Sequence, residues 1–313
     1  MKLNEEDLLA FANAELETFD LSCLSIDRRL AIDSLKDDIR EELEDLNSEA
    51  TKKARLNHYK IPSAVLDDFS EKIIDLGRGQ KIICGIRHEG GNVELPFVQI
   101  QPNMKMSEKE LLVIYDKHCK NMFSIFQPRH LRFWCKKQIN DHLIGSTYLV
   151  STNRQMLEIS DWPLEHKLSF ENIKDDSYYE WYKGGYEEFH TSQSELKDRV
   201  TVNSKEEMQA SINDNLLKVV IMDGQKIGLI AGEKSKFLGQ DGVYFNEIFI
   251  TKDFKGKGIA KAIQRKFVRK FTRKGDFIWG TIDSQNTPSY KTAITNGRKP
   301  IRFECFYSLK ERS

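Results

Sequence analysis

Ile248-Phe249-Ile250-Thr251-Lys252-Asp253-Phe254-Lys255-Gly256-Lys257-Gly258-Ile259-Ala260 is the stretch on which the reading of this 313-residue chain turns. It ends the run Val243–Thr251, which is nearly all apolar and so reads as a strand inside a sheet covered on both faces. A loop with two glycines follows, and Gly258–Arg273 then keeps helical spacing, with Ala262, Ile263, Phe267, Val268 and Phe271 on one stripe. A strand that enters a helix in this way makes an anion site. The first turn of a helix leaves about four backbone N–H groups unpaired and carries partial positive charge. Glycine lets a phosphate approach that backbone closely. Lys255, Lys257 and Lys261 add cations on the same rim. The loop is neither a G-x-x-x-x-G-K-[ST] loop nor a G-x-G-x-x-G fingerprint. Taken alone, it is also what a tight strand-to-helix turn looks like.

Outward from this segment the second half continues as a mixed sheet. Tyr178–His190 and Lys205–Asn213 read as helices, and Leu216–Met222 and Lys226–Glu233 as strands joined at Asp223-Gly224, a hairpin signal. Phe277–Asp283 is a strand, Ser289–Thr295 a helix ended by Asn296-Gly297, and Ile301–Leu309 a last strand. The first half opens with helices. Leu8–Phe19 and Ile26–Leu46 have helical periodicity, and Pro62-Ser63 reads as the start of a third helix through Ile74, ended near Gly77 and Gly79. Lys81–Arg87 and Val93–Gln101 then read as strands, Ser107–Phe123 as a helix whose Ser107 and Glu110 stand at capping-box spacing, Leu131–Lys136 as a strand and Ser146–Ile159 as one or two more. Trp162-Pro163 marks a boundary, giving domains 1–165 and 166–313. A faint internal echo runs through the two halves. Val93–Gln101 and the helix to Phe123 parallel Val243–Thr251 and its helix, and Arg132-Phe133-Trp134 parallels Phe277-Ile278-Trp279. The loop Pro102–Met106 of the first copy contains no glycine.

Composition narrows the classes. A charged fraction of 31% and the absence of a long apolar run exclude a membrane-spanning segment and point to the cytoplasm. The five cysteines are scattered and without C-x-x-C spacing, and the histidines lack ligand spacing, so neither a disulfide frame nor a metal is expected. Charge is uneven, with ten Lys/Arg against nineteen Asp/Glu in residues 1–76 and sixteen against five in 251–313. A basic end suits a polyanionic cofactor or nucleic acid. Along 261–274 the basic residues alternate with the apolar stripe and lack the interleaved aromatic platforms of a nucleic-acid surface.

Lys255-Gly256-Lys257-Gly258-Ile259-Ala260 resembles the pyrophosphate motif Q/R-x-x-G-x-G/A of the GNAT superfamily of acyl-CoA N-acyltransferases, with Lys in the first place. Asn286-Thr287-Pro288-Ser289, continuing to Asn296-Gly297, is similar to that family's next motif, an Asn after the fifth strand followed by a helix that closes on Gly. The resemblance covers about 167–313. It implies an α/β (α+β) fold with a mixed, largely antiparallel central sheet flanked by helices, and a fourth and fifth strand that splay apart. It also implies acetyl-CoA as cofactor. The backbone of Lys255, Gly256, Lys257, Gly258, Ile259 and Ala260 would hold its pyrophosphate beside Lys261, and the pantetheine arm would pair along Ile248, Phe249 and Ile250. Asn286 and Ser289 would lie on the same cofactor, and a small-molecule or peptide amine would be the acceptor. The first half would be either a degenerate copy that has lost the cofactor or an unrelated α/β domain, in either case shaping the acceptor site or a homodimer. A non-catalytic acyl-CoA-binding regulator is the first alternative, and a nucleic-acid-binding protein using the basic 261–274 helix the second.

Acyl transfer to an amine needs a neutral amine, a polarised carbonyl and a proton for the leaving thiolate. Glu247 is the one carboxylate of its strand, and burial there would raise its pKa towards a useful range, unless it is a partnered structural residue. Strict alternation puts Glu247 and Asn246 on opposite faces. The family often carries a general-acid Tyr four positions before the closing Gly, and Ala293 stands there. Tyr290, one turn earlier, or Tyr307 could substitute, or the thiolate could leave unaided.

Overall fold

The computed structural model describes residues 3–139, 142–194, 197 and 200–309. The chain divides into two compact units, residues 1–145 with 302–313, and residues 146–301. Each is α+β, built on a mixed, largely antiparallel set of strands flanked by helices, as expected. No helix among the described residues is long and apolar enough to cross a membrane.

The first unit opens with α1 (Glu5–Leu16), α2 (Arg28–Asn47) and α3 (Glu49–Tyr59). Asn4, Asp27 and Ser48 cap them by accepting from backbone N–H groups of the first turn, which leaves fewer orphan donors there. The strands are β1 (Lys72–Gly77), β2 (Gln80–His88), β3 (Pro96–Pro102) and β4 (His130–Cys135), with α4 (Glu108–Ile114) between β3 and β4. The helix expected from Pro62 to Ile74 is absent. Ser48 starts a helix earlier, and Gly77, Arg78 and Gly79 take φ of 85°, 56° and 77°, so residues before them form the first arm of a hairpin. Left-handed residues in succession reverse a strand rather than end a helix. The helix expected to reach Phe123 also stops early, at Ile114, and gives way to a wider turn over Tyr115–Cys119. Phe69, Ile82, Ile86, Val98, Phe123 and Leu131 fill the core of this unit.

The second unit holds β5 (Leu143–Thr152), α5 (Asn153–Glu158), β6 (Leu168–Asn172), α6 (Tyr179–Ser192), α7 (Lys205–Asn213), β7 (Leu217–Met222), β8 (Gln225–Phe237), β9 (Gln240–Ile250), α8 (Ile259–Phe271), β10 (Phe277–Asp283) and α9 (Thr287–Thr295). The strand order is β5-β10-β9-β8-β7-β6, with β9 and β10 parallel. The segment expected to give one or two strands through Ile159 turns helical at Asn153. Thr152 accepts from Gln155 N–H and Gln155 Oε1 from Thr152 N–H at 2.9 Å, a reciprocal cap. Asp223 and Gly224 take φ of 49° and 78°, the two left-handed residues of a two-residue hairpin. One core lies under α8, with Val243, Phe245, Ile250, Ile263 and Phe267. The other lies under α6 and α7, with Tyr182, Tyr186, Met208, Leu217, Leu229 and Phe249.

The two units share one plan. A hairpin (β1–β2, β7–β8) leads to an antiparallel third strand (β3, β9), then a helix (α4, α8), then a parallel strand (β4, β10). Each then adds an antiparallel strand taken from the other half of the sequence. The last strand, β11 (Lys299–Ser308), pairs with β4 through Phe303–Ser308, while Ser146–Thr152 of β5 pair with β10.

Candidate active site

The site begins with a fault in the ladder of β9. Ile250, Phe249, Ile248 and Glu247 face Gly228, Leu229, Ile230 and Ala231 of β8, but Phe245 faces Gly232, so Asn246 is an extra residue. Such a bulge bends its strand and strengthens the local twist. β10 runs beside β9 only at Gly242, Val243 and Tyr244. Beyond the bulge the two strands part. Thr251 N–H donates to Ile227 O at 2.9 Å, so by alternation the backbone groups of Ile248 and Ile250 point away from β8, to the side that β10 has left.

The bulge also corrects the expectation that Asn246 and Glu247 face opposite ways. Phe245 packs on Phe267 of α8, with ring centroids 5.7 Å apart. Asn246 Nδ2 donates to Ser211 Oγ of α7 at 3.0 Å, and Glu247 meets Tyr182 and Tyr186 of α6. One inserted residue puts two successive polar side chains on the α6–α7 side.

Glu247 is 9% exposed, and its Oε2 collects three donors: Tyr182 Oη at 2.5 Å, Tyr186 Oη at 2.7 Å and Asn203 Nδ2 at 3.3 Å. Asn203 N–H donates in turn to Tyr182 Oη at 3.1 Å. Burial pushes the Glu247 carboxyl above its ordinary pKa, and the two phenol bonds and Lys255 pull in the other direction. Both phenols are held well up by burial and by the carboxylate they serve. Tyr182 and Tyr186 stand one turn apart on one face of α6. With Asn203 they are the residues that sequence reasoning missed. The spacing of Tyr178, Tyr182 and Tyr186 signals a buried stripe, but nothing in it shows that the hydroxyls converge.

From Ile250 the chain makes a short turn over Lys252–Phe254, and α8 starts after Gly258. Gly256 and Gly258 take φ of 76° and 73°, and Gly258 occupies the N-cap position without a side chain to close it. The first turn of α8 holds no acid. Its amides are therefore uncapped by any side chain at an exposed loop, the condition for receiving an anion. Lys255, Lys257 and Lys261 surround this start, each with Nζ over an aromatic ring: Phe189 at 4.4 Å, Phe254 at 5.4 Å and Trp162 at 4.2 Å. Ile259 is buried and Ala260 half-buried. Further along α8 the cations are tied back into the protein. Arg265 Nη1 lies 3.0 Å from Glu165 Oε2, Lys266 Nζ donates to Glu165 O at 2.8 Å, and Arg269 Nη2 reaches Asp161 Oδ1 at 2.6 Å.

Asn286 is the N-cap of α9, its Oδ1 accepting from Ser289 N–H at 3.3 Å, and the Ser289 side chain is exposed. Tyr290 is half-buried, burial raises its pKa, and its hydroxyl bonds to no described residue. Ala293 is fully buried. Tyr307 lies on β11 in the first unit.

No family model matches the sequence, and no curated protein matches it. Among solved structures, the chain is similar to a GCN5-related N-acetyltransferase from Sphaerobacter thermophilus (10% identity, TM-score 0.46, covering 74% of this chain and 81% of that one). It is similar to an acetyltransferase of the GNAT family from Colwellia psychrerythraea (9% identity, TM-score 0.47, 83% and 98% covered). It is also similar to a GCN5-related N-acetyltransferase from Kribbella flavida (12% identity, TM-score 0.41, 82% and 93% covered).

Proposed function

We propose that the second half of the chain, 166–313, carries an acyl-CoA-dependent N-acyltransferase site that moves an acetyl group from acetyl-CoA to a primary amine, with 1–165 as an accessory half. The observation that carries this reading is the bulged parting of β9 from β10, whose outward backbone groups lead directly into an uncapped, lysine-rimmed helix start. Such a run offers an extended strand edge for an amide-bearing arm and a nest for its phosphates. These donors fit the cofactor.

An acyl-CoA thioester supplies an activated acyl group, so that amine attack on its carbonyl carbon forms a C–N bond as the C–S bond breaks, leaving an amide and a free thiol. The amides of Lys255–Ala260 and the Lys261 side chain hold the pyrophosphate. Ile248, Phe249 and Ile250 align the arm, and Asn286 and Ser289 flank it. A backbone N–H turned outward beside the bulge polarises the carbonyl, where a fixed donor acts on charge as it develops. Glu247 receives the proton that the amine nitrogen gives up, directly or through water, and its raised pKa suits that task. The thiolate is reprotonated by Tyr290 or from water.

Calorimetric titration with acetyl-CoA tests the reading, with CoA and ADP as controls. Micromolar binding by the wild type, lost in a folded Gly258→Asp variant, supports it. A folded wild type that ignores acetyl-CoA returns the loop to a structural turn. One observation favours the second reading, a regulator that binds acyl-CoA without turnover: the buried Ala293 where a general-acid Tyr would stand. Release of free thiol with any amine decides between them.

A further inference from the structure

Arg298 follows α9 and is 2% exposed. Burying a cation without a partner is among the most costly arrangements in a protein. The other buried cations among the described residues have partners: Arg265 with Glu165, Lys218 with Asn172 and Asn215, and Arg302 with Glu15. Arg298 makes no hydrogen bond or ion pair through its side chain with any described residue, and its Nε is buried and unsatisfied. Its guanidinium rests on the face of Phe245, 5.1 Å from the ring centroid. Burial draws its pKa down to about 10, which still leaves it a cation at neutral pH.

Its place in the fold gives this unpaired charge a meaning. Phe245 is the last residue of β9 before the bulge, and Gly280 follows the last β10 residue paired with β9, Trp279. A side chain at Gly280 would put its Cβ 3.5 Å from Arg298 Nη1 and 3.4 Å from Phe245 O. The guanidinium therefore lies directly beside Gly280, at the vertex where the two strands begin to separate. A group that reached this vertex from the cleft would meet a planar donor fork with no counter-ion of its own. That fork matches a carboxylate, which takes two parallel N–H bonds from one guanidinium.

We propose that Arg298 binds a carboxylate at the vertex of the β9–β10 cleft, so that one of the two reacting molecules is an acid: either a dicarboxylic acyl group on the thioester, or an amine acceptor that is itself an amino acid. The proposal rests on the acyltransferase reading for the identity of the cleft. Its test separates the two sources. The full chain is titrated calorimetrically with succinyl-CoA against acetyl-CoA, and with N-acetylglycine against N-acetylglycinamide, the latter pair with and without CoA. In one of these pairs the wild type is expected to prefer the charged member by about 10-fold or more, the worth of a charge-assisted bond. Arg298→Gln is expected to bring the charged member down to its neutral partner. Arg298→Lys keeps the charge but not the fork, and is expected to show a reduced preference; it also serves if the Gln variant does not fold. A wild type indifferent to charge in both pairs, or a preference that survives in Arg298→Gln, overturns the proposal. Failure of acetyl-CoA to bind at all would instead count against the acyltransferase reading, and the N-acetylglycine pair without CoA still decides whether Arg298 receives a carboxylate.

Discussion

The two units reach their third strand and the helix after it by the same route, and they finish that helix start in opposite ways. In the first unit Ser107 caps α4, and the Glu110 carboxylate returns to the Ser107 backbone at 2.7 Å. The orphan amides are met by side chains, and two acids, Glu108 and Glu110, stand in the first turn. An incoming phosphate would find its place taken by negative charge. In the second unit a left-handed glycine holds the cap position, the first turn has no acid, and lysines stand around it. The strands differ in the same sense. β3 carries Gln99 and Gln101 and no carboxylate, whereas β9 has Glu247 behind its bulge. On the proposed reading, a common fold becomes either closed structure or a ligand site by a few choices at one junction.

Making the second junction more like the first should erase function stepwise. Glu247→Gln gives β9 the neutral amide of β3. We expect turnover to fall by about 100-fold or more, the share of a general base, with acetyl-CoA still measurable by calorimetry. Because burial raises the Glu247 pKa, wild-type activity should be lost on acidification at a pH above the ordinary carboxylate range. The sign for stability is opposite. A carboxyl whose pKa is raised by folding stabilises the fold while protonated, and that contribution is lost as pH rises through the folded pKa. The melting temperature of Glu247→Gln should therefore gain on the wild type with increasing pH. A rate profile without such an acid limb would remove Glu247 from the reaction.

Gly258→Asp closes α8 as Glu110 closes α4. A strained left-handed Asp and a charge facing the phosphates together should weaken acetyl-CoA binding by about 100-fold. Tyr182→Phe removes one donor from Glu247 Oε2. It should cost about 1–3 kcal/mol in chemical denaturation and move the acid limb of the rate profile upward, since that bond favours the ionised carboxylate. An unmoved limb would separate the phenols from catalysis. The smallest effect is expected from the reverse experiment. Ser107→Ala opens α4 and should cost about 1 kcal/mol of stability. It should create no second site, because the loop before α4 still lacks glycine; calorimetric stoichiometry above one acetyl-CoA per chain would contradict this.

What could be read from the residues follows the range of the forces involved. The strand, glycine loop and helix at 248–260 are local, so pattern and spacing were enough to place them. The capping box at Ser107 and the hairpin at Asp223-Gly224 were legible for the same reason. The helix expected at 62–74 failed because a left-handed run at 77–79 acts on residues before it, and the few apolar residues of so short a stretch fit either periodicity. The face of Glu247 was hidden by the bulge. An extra residue in one strand exists only relative to its partner, and no property of Asn246 announces it. The convergence of Tyr182, Tyr186 and Asn203 on one oxygen, and the isolation of Arg298, depend on contacts between residues far apart in sequence.

The strands β5 and β11 carry a consequence for inheritance. Each half of the sequence completes its sheet with a strand supplied by the other. A gene cut between the halves would leave β4 and β10 each with a bare edge, the kind of surface that recruits foreign strands and aggregates. The first half thus keeps a reason to persist whether or not it ever meets a ligand: once two halves have traded strands, neither can be deleted without spoiling the other.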